Sequence, residues 1–209
     1  MYIKRSFKAM TLIETLVAIA VMMIAMQGFT YLFTKVWATN GFILEAGMAS
    51  AAASRATNQI VIQLRGVKQA DNGDYPIDAA DDFSLTIYAD ADDDGVTEKV
   101  RYFLDQPNDQ MKIGITEPDT SVQPPTYTGV ETVTVMTNYV VNESDDPVFY
   151  YYNDDYPGDT TTNPLTTPAS IASIQLVRVH LLVNIDPINA PNNINIESFV
   201  DLRNLHNYE

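Results

Sequence analysis

The chain has 209 residues, 46% of them apolar, and a formal charge of −15 from 27 Asp and Glu against 12 Lys and Arg. That balance excludes nucleic acid as a partner of the folded part, because a phosphate backbone calls for a basic surface. With no cysteine, neither a disulfide framework nor a thiolate metal site can form, so a folded domain must rest on its own apolar core.

Lys4, Arg5 and Lys8 precede an apolar run from Met10 to Phe33, interrupted only by Thr11, Glu14, Thr15, Gln27, Gly28, Thr30 and Tyr31. At 1.5 Å rise per residue those positions cover about 36 Å as a helix, enough to cross the hydrocarbon of a bilayer with some tilt. Basic residues just before the run, and none within it, put the N-terminus in the cytoplasm and the C-terminal part outside. A cleaved signal peptide would be shorter and would end at small residues. Here the run continues through Tyr31-Leu32-Phe33 into Val36-Trp37, where Trp37 suits a membrane interface, so the segment reads as retained. Glu14 is the costly residue, a carboxylate inside an apolar helix, although its place near the cytoplasmic end allows some snorkelling.

Helical character continues beyond this span. Leu44, Met48, Ala52, Ala56, Ile60 and Leu64 recur every four residues with polar residues between them, which predicts an amphipathic stripe for packing on a sheet. Gly66 is a suitable stop. The expected helix therefore runs from about residue 10 to 66, with 10–37 as the membrane half and 38–66 as the half that meets a globular domain.

Residues 67–209 form an acidic, β-rich region. After an expected polar loop over 70–82 the period changes to two. Phe83, Leu85 and Ile87 alternate with Ser84, Thr86 and Tyr88; Val100, Tyr102 and Leu104 with Lys99, Arg101 and Phe103; Met111, Ile113 and Ile115 follow. A Pro-rich connection over 117–127 leads to Val133, Val135, Tyr139 and Val141, then to Phe149-Tyr150-Tyr151-Tyr152. Residues 153–168 read as loop. Two longer strands close the chain, one built on Val177, Val179, Leu181, Val183 and Ile185, the other on Ile194, Ile196, Val200 and Leu202. Such alternation predicts antiparallel sheet with one dry face.

Asp90, Asp92 and Asp94 precede Gly95 with the spacing of a calcium loop, in which alternate carboxylates converge on one ion. Val96 stands where such a loop offers a carbonyl, and Glu98 stands at its ninth position. The twelfth is Arg101, so the bidentate Glu of an EF-hand is missing, and the flanks read as strands. Calcium and a solvated acidic turn both fit these residues. His180 and His206 read as ordinary residues, and the aromatic run at 149–152 with Tyr156 as an edge strand. There is no nucleophile elbow, phosphate-binding Gly loop or His-Glu-x-x-His helix, so nothing points to an enzyme.

The first forty residues resemble type IV pilins and type II secretion pseudopilins. The likeness rests on the basic leader with Lys4, Arg5 and Lys8, the small Ala9, then Met10 followed by Thr11-Leu12-Ile13-Glu14 and the apolar helix. Ala9 stands where the family has Gly, and Met10 where Phe is usual. The resemblance implies a leader over 1–9, cleavage between Ala9 and Met10 by prepilin peptidase, and N-methylation of Met10. It implies that Glu14, fifth in the mature chain, serves methylation and assembly beside the terminal amine of a neighbouring subunit. The expected fold is α+β and pilin-like, a long N-terminal helix on an antiparallel sheet. The helix without proline and the large β region are similar in arrangement to J-type pseudopilins and W-type minor pilins. Expected partners are other pilins or pseudopilins, prepilin peptidase and an inner-membrane assembly platform. The other reading is a membrane-anchored extracytoplasmic binding module, in one version calcium-dependent, that does not polymerise.

Overall fold

The computed structural model describes residues 10–186 and 193–207, with His206 and Asn207 by backbone alone. The leader, including Ala9, lies outside the described residues. Helix α1 runs over Leu12–Arg65 without a break, and no proline lies within it to break the ladder. The chain divides into two compact units at the Glu45–Ala46 junction.

In the first unit the helix is apolar and exposed throughout, and it is long and apolar enough to be a candidate membrane span. Three of its threonines bond back to the helix. Thr15 donates to the Leu12 carbonyl at 2.8 Å, Thr30 to Met26 at 2.8 Å and Thr34 to Tyr31 at 2.9 Å. Such back-bonding satisfies those hydroxyls within the helix, which suits an apolar surrounding. Phe29, Phe33 and Trp37 follow one another at intervals of four, with ring centroids 6.4 and 6.0 Å apart.

In the second unit the helix buries Ala49, Ala53, Ala56, Thr57, Ile60, Val61 and Leu64. This corrects the stripe expected from the sequence. Leu44 and Met48 are 62% and 63% exposed, and the stripe passes through Ala49 and Ala53 instead. The reason is helical geometry. A step of four residues overshoots one turn by about 40°, so a row from Leu44 to Leu64 winds about 200° around the axis. Steps of four and three in alternation, as in 49, 53, 56, 60, stay on one side. Gly66 ends the helix as expected, its N–H shared between the carbonyls of Ile62 at 3.2 Å and Gln63 at 3.0 Å.

Five strands follow in a sheet whose spatial order is their chain order, every neighbour antiparallel. They are β1 (Ile77–Ala80), β2 (Ser84–Ala89), β3 (Glu98–Asp105), β4 (Gln110–Thr116) and β5 (Thr132–Asn138). Strand β1 lies inside the segment expected to be loop. Its two core residues, Ile77 and Ala80, are three apart because the register shifts at Asp78, so the strand shows no period of two. Strand β2 is covered on both faces: Leu85 and Ile87 are buried, and so are Thr86 and Tyr88 from the set expected to face water. The Tyr127 ring, from the Pro-rich connection, lies 5.0 Å from that of Tyr88. The strand expected over 133–141 divides at Tyr139, whose φ is +64°. Beyond it Val140 bridges to Val183 in a second sheet.

That second sheet has the order β6 (Phe149–Tyr152), β7 (Leu176–Val183), β8 (Ile194–Asp201), also antiparallel. Val177, Val179, Leu181 and Val183 face the core as predicted, while Ile194 at the edge is more than one-third exposed. The helix stripe and residues of both sheets form one apolar cluster. Tyr151 links the sheets directly, its hydroxyl donating to the Asp81 carbonyl at 2.9 Å. The protein is thus α+β, a long N-terminal helix whose second half packs on antiparallel sheets.

Candidate functional site

Two places carry the residues singled out by the sequence. The first is the start of α1. Thr11 sits immediately before the helix, and its carbonyl accepts from the Thr15 N–H at 3.2 Å. The Thr11 hydroxyl accepts from the Glu14 N–H at 3.3 Å, and Glu14 Oε2 accepts from the Thr11 N–H at 2.8 Å and the Thr11 hydroxyl at 3.0 Å. This reciprocal arrangement is a capping box, in which two otherwise orphaned donors at the helix start are satisfied by each other's side chains. Thr-x-x-Glu before an apolar run is its sequence signal, present at 11–14. Glu14 therefore has a local partner, and it is the only carboxylate between Met10 and Leu44. Met10 precedes the cap and is exposed.

The second place is the turn joining β2 to β3. Asp93 (φ +62°) and Gly95 (φ +92°) take the left-handed conformation that lets the chain reverse sharply. The acidic side chains then fold back on the turn's own amides. Asp90 Oδ2 accepts from Gly95 at 3.0 Å, Asp92 Oδ1 from Asp94 at 3.2 Å, and Asp94 Oδ1 from Val96 at 2.8 Å. Glu98, the first residue of β3, points to the dry side of the sheet along with Val100, Tyr102 and Leu104. It is 1% exposed, and its Oε2 accepts from the Ala91 N–H at 2.6 Å. Asp90, Asp92, Asp94 and Glu98 each bring one carboxylate oxygen to within 4.8 Å of the others. Burial pushes the Glu98 carboxyl above its ordinary value, the Ala91 N–H opposes this, and the charges of Glu117, Asp92 and Asp90 add to it.

The turn is moored to the segment that leaves the helix. Lys68 donates its N–H to the Tyr88 carbonyl at 3.0 Å, and its ammonium lies 3.7 Å from Asp90 Oδ2. Thr97 donates its N–H and hydroxyl to the Asp71 carboxylate at 3.4 and 3.1 Å. Arg101, at the loop's twelfth position, is engaged elsewhere. Its guanidinium pairs with Glu131 at 2.8 and 2.6 Å and lies 4.0 Å from the Phe103 ring centroid. Gly114, opposite Arg101 on β4, leaves room for this: a Cβ there would come within 2.1 Å of Glu131 Oε1.

The remaining candidates fall on β6, β7 and the segments that follow them. Phe149, Tyr151 and Tyr152 are buried, and β6 is an edge strand as expected. Tyr150 carries the Arg178 guanidinium 3.8 Å from its centroid. His180 is buried on β7 and pairs across the sheet with Glu197, while the side chain of His206 lies outside the described residues. Compared with known proteins, the chain matches no protein-family model and no curated protein sequence.

Proposed function

We propose that this chain is a non-enzymatic minor subunit of a type IV pilin-like filament, a minor pilin or pseudopilin serving pilus assembly, secretion or DNA uptake. The observation that carries the reading is the lone carboxylate at Glu14, fixed at the fifth position counted from Met10, at the start of an apolar, exposed helix. In this reading the helix spans the inner membrane with its N-terminus in the cytoplasm, and the β domain lies outside. Prepilin peptidase removes residues 1–9, exposing the amine of Met10 next to the capping box. In the filament the first half of the helix packs among those of other pilins or pseudopilins, fed by an inner-membrane assembly platform. A carboxylate in that apolar core is tolerable when a neighbour's terminal amine pairs with the Glu14 oxygen that Thr11 leaves free. Co-expression with a prepilin peptidase tests this. A mature chain beginning at Met10, identified by intact mass and N-terminal sequencing, is the expected product; a chain that is never cut defeats the assignment.

The capping box itself favours a second reading. Because Thr11 already holds Glu14, the carboxylate has a reason to be there without any neighbouring subunit. The chain is then a membrane-anchored extracytoplasmic binding module that stays uncut and monomeric. Crosslinking in membranes separates the two: ladders of higher order follow from the filament reading and their absence from the anchor.

A further inference from the structure

We propose that the β2–β3 turn is a calcium site, with Asp90, Asp92, Asp94 and Glu98 as carboxylate ligands and the Val96 carbonyl as a fifth. The proposal stands independently of the filament reading. Spacing alone is explained as well or better by an acidic turn; the burial of Glu98 is not. A solvated turn keeps its carboxylates in water, whereas Glu98 is 1% exposed and points from the first residue of β3 into the cluster. Its Oε1 is buried with no hydrogen-bond partner among the described residues, and the same holds for Asp90 Oδ1. Two carboxylate oxygens withdrawn from water with nothing bound to them are costly unless a cation meets them.

Among the described residues, Lys68 and Arg101 do not meet that need. Lys68 reaches Asp90 Oδ2, not the orphaned Oδ1, and Arg101 is committed to Glu131. The four ligand oxygens lie within 4.8 Å of one another, about twice a calcium–oxygen bond of 2.3–2.6 Å, the largest separation ligands on opposite sides of one ion can have. Each of the four carboxylates has one oxygen accepting from an amide of the turn, which restrains the side chain before the ion arrives. An all-oxygen set favours a hard cation over zinc or copper. Four carboxylates, a carbonyl and water fit the six to eight ligands of calcium better than the small, water-retaining octahedron of magnesium. Glu98 thus supplies a buried carboxylate oxygen from the ninth position, on a strand, in a loop whose twelfth position is Arg101.

The test uses the full chain in detergent micelles, titrated with calcium chloride after chelator treatment and followed by calorimetry and thermal unfolding. One saturable site and an unfolding midpoint that rises with calcium are expected, with a weaker response to magnesium. Glu98→Gln keeps the shape and the hydrogen bond to Ala91 but removes the charge, and it should weaken calcium binding about tenfold or more. In chelator the same variant should unfold no earlier than wild type, because it relieves an uncompensated buried charge, and in saturating calcium it should unfold earlier. Asp92→Asn, on the exposed side of the cluster, should weaken binding without changing the unfolding midpoint in chelator. No saturable calcium heat up to about 10 mM on chain that still unfolds cooperatively overturns the site, since extracellular modules bind at 10⁻⁴–10⁻³ M. So does a Glu98→Gln effect identical in calcium and in chelator, and tighter magnesium than calcium binding overturns the choice of ion.

Discussion

The face of α1 that meets the core can be tested by a pair of leucines that the four-residue spacing treats as equivalent. Leu64 is wholly buried and Leu44 is 62% exposed. Truncating a buried leucine to alanine removes its transfer energy and leaves a cavity, which together cost about 2–5 kcal/mol. Leu64 stands in the last turn before Gly66, packed in the same apolar cluster as Ile60, Val67 and Leu205, so partial collapse puts the expectation near 3 kcal/mol. For a folded domain of this size each kcal/mol moves the midpoint by roughly 2–4 °C. Leu64→Ala should therefore lower it by about 6–12 °C, whereas Leu44→Ala should stay within about 0.5 kcal/mol, as an exposed site does. Unfolding of the full chain in micelles, followed by the near-ultraviolet dichroism of its tyrosines, measures both. Equal destabilisation by the two variants, or a Leu64→Ala effect below about 1 kcal/mol, refutes the winding argument.

Three variants at the helix start separate capping from assembly. If Glu14 acts through its charge, Glu14→Gln and Glu14→Ala both block incorporation into filaments and Thr11→Ala does not; if it only caps, Glu14→Gln behaves as wild type, because glutamine also closes the box. Gly114→Ala should displace the Glu131 side chain from Arg101 and cost under about 1 kcal/mol, since the pair is partly exposed. In a Glu131→Ala background the same change should cost nothing or stabilise; an unchanged cost there refutes the steric cause. Hydrogen bonds from Arg101 hold the Glu131 carboxyl below its ordinary value of 4.5. A depressed carboxylate stabilises the fold above its unfolded value and ceases to as pH falls through the folded one. The stability gap between wild type and Glu131→Gln should therefore be constant above about pH 5.5 and close on acidification; a gap that persists at pH 2–3 sinks the linkage.

The long helix, its stop at Gly66, the motif around Glu14 and seven of the strands are legible in the chain because each depends on neighbours a few residues apart. An apolar run sets a helix, a period of two sets a strand, and Asp-x-Asp-x-Asp-Gly sets a turn. Even the capping box could be read, since Thr11 and Glu14 lie one helical turn apart. What depended on distant residues could not. The buried side of α1 follows from winding and from which surface the sheets present. Strand β1 exists because Leu85 and Ile87 give Ala80 and Ile77 a ladder to join, with a bulge that hides its period. The division into two sheets turns on one left-handed residue, Tyr139. Asp90, Asp92 and Asp94 are spaced for a cation by local sequence alone, but local sequence does not say that Glu98 is buried. That is decided by the pairing of β3 between β2 and β4, which turns every second residue from Glu98 to Leu104 into the core, and the buried carboxylate this places at the turn is what the proposed calcium site rests on.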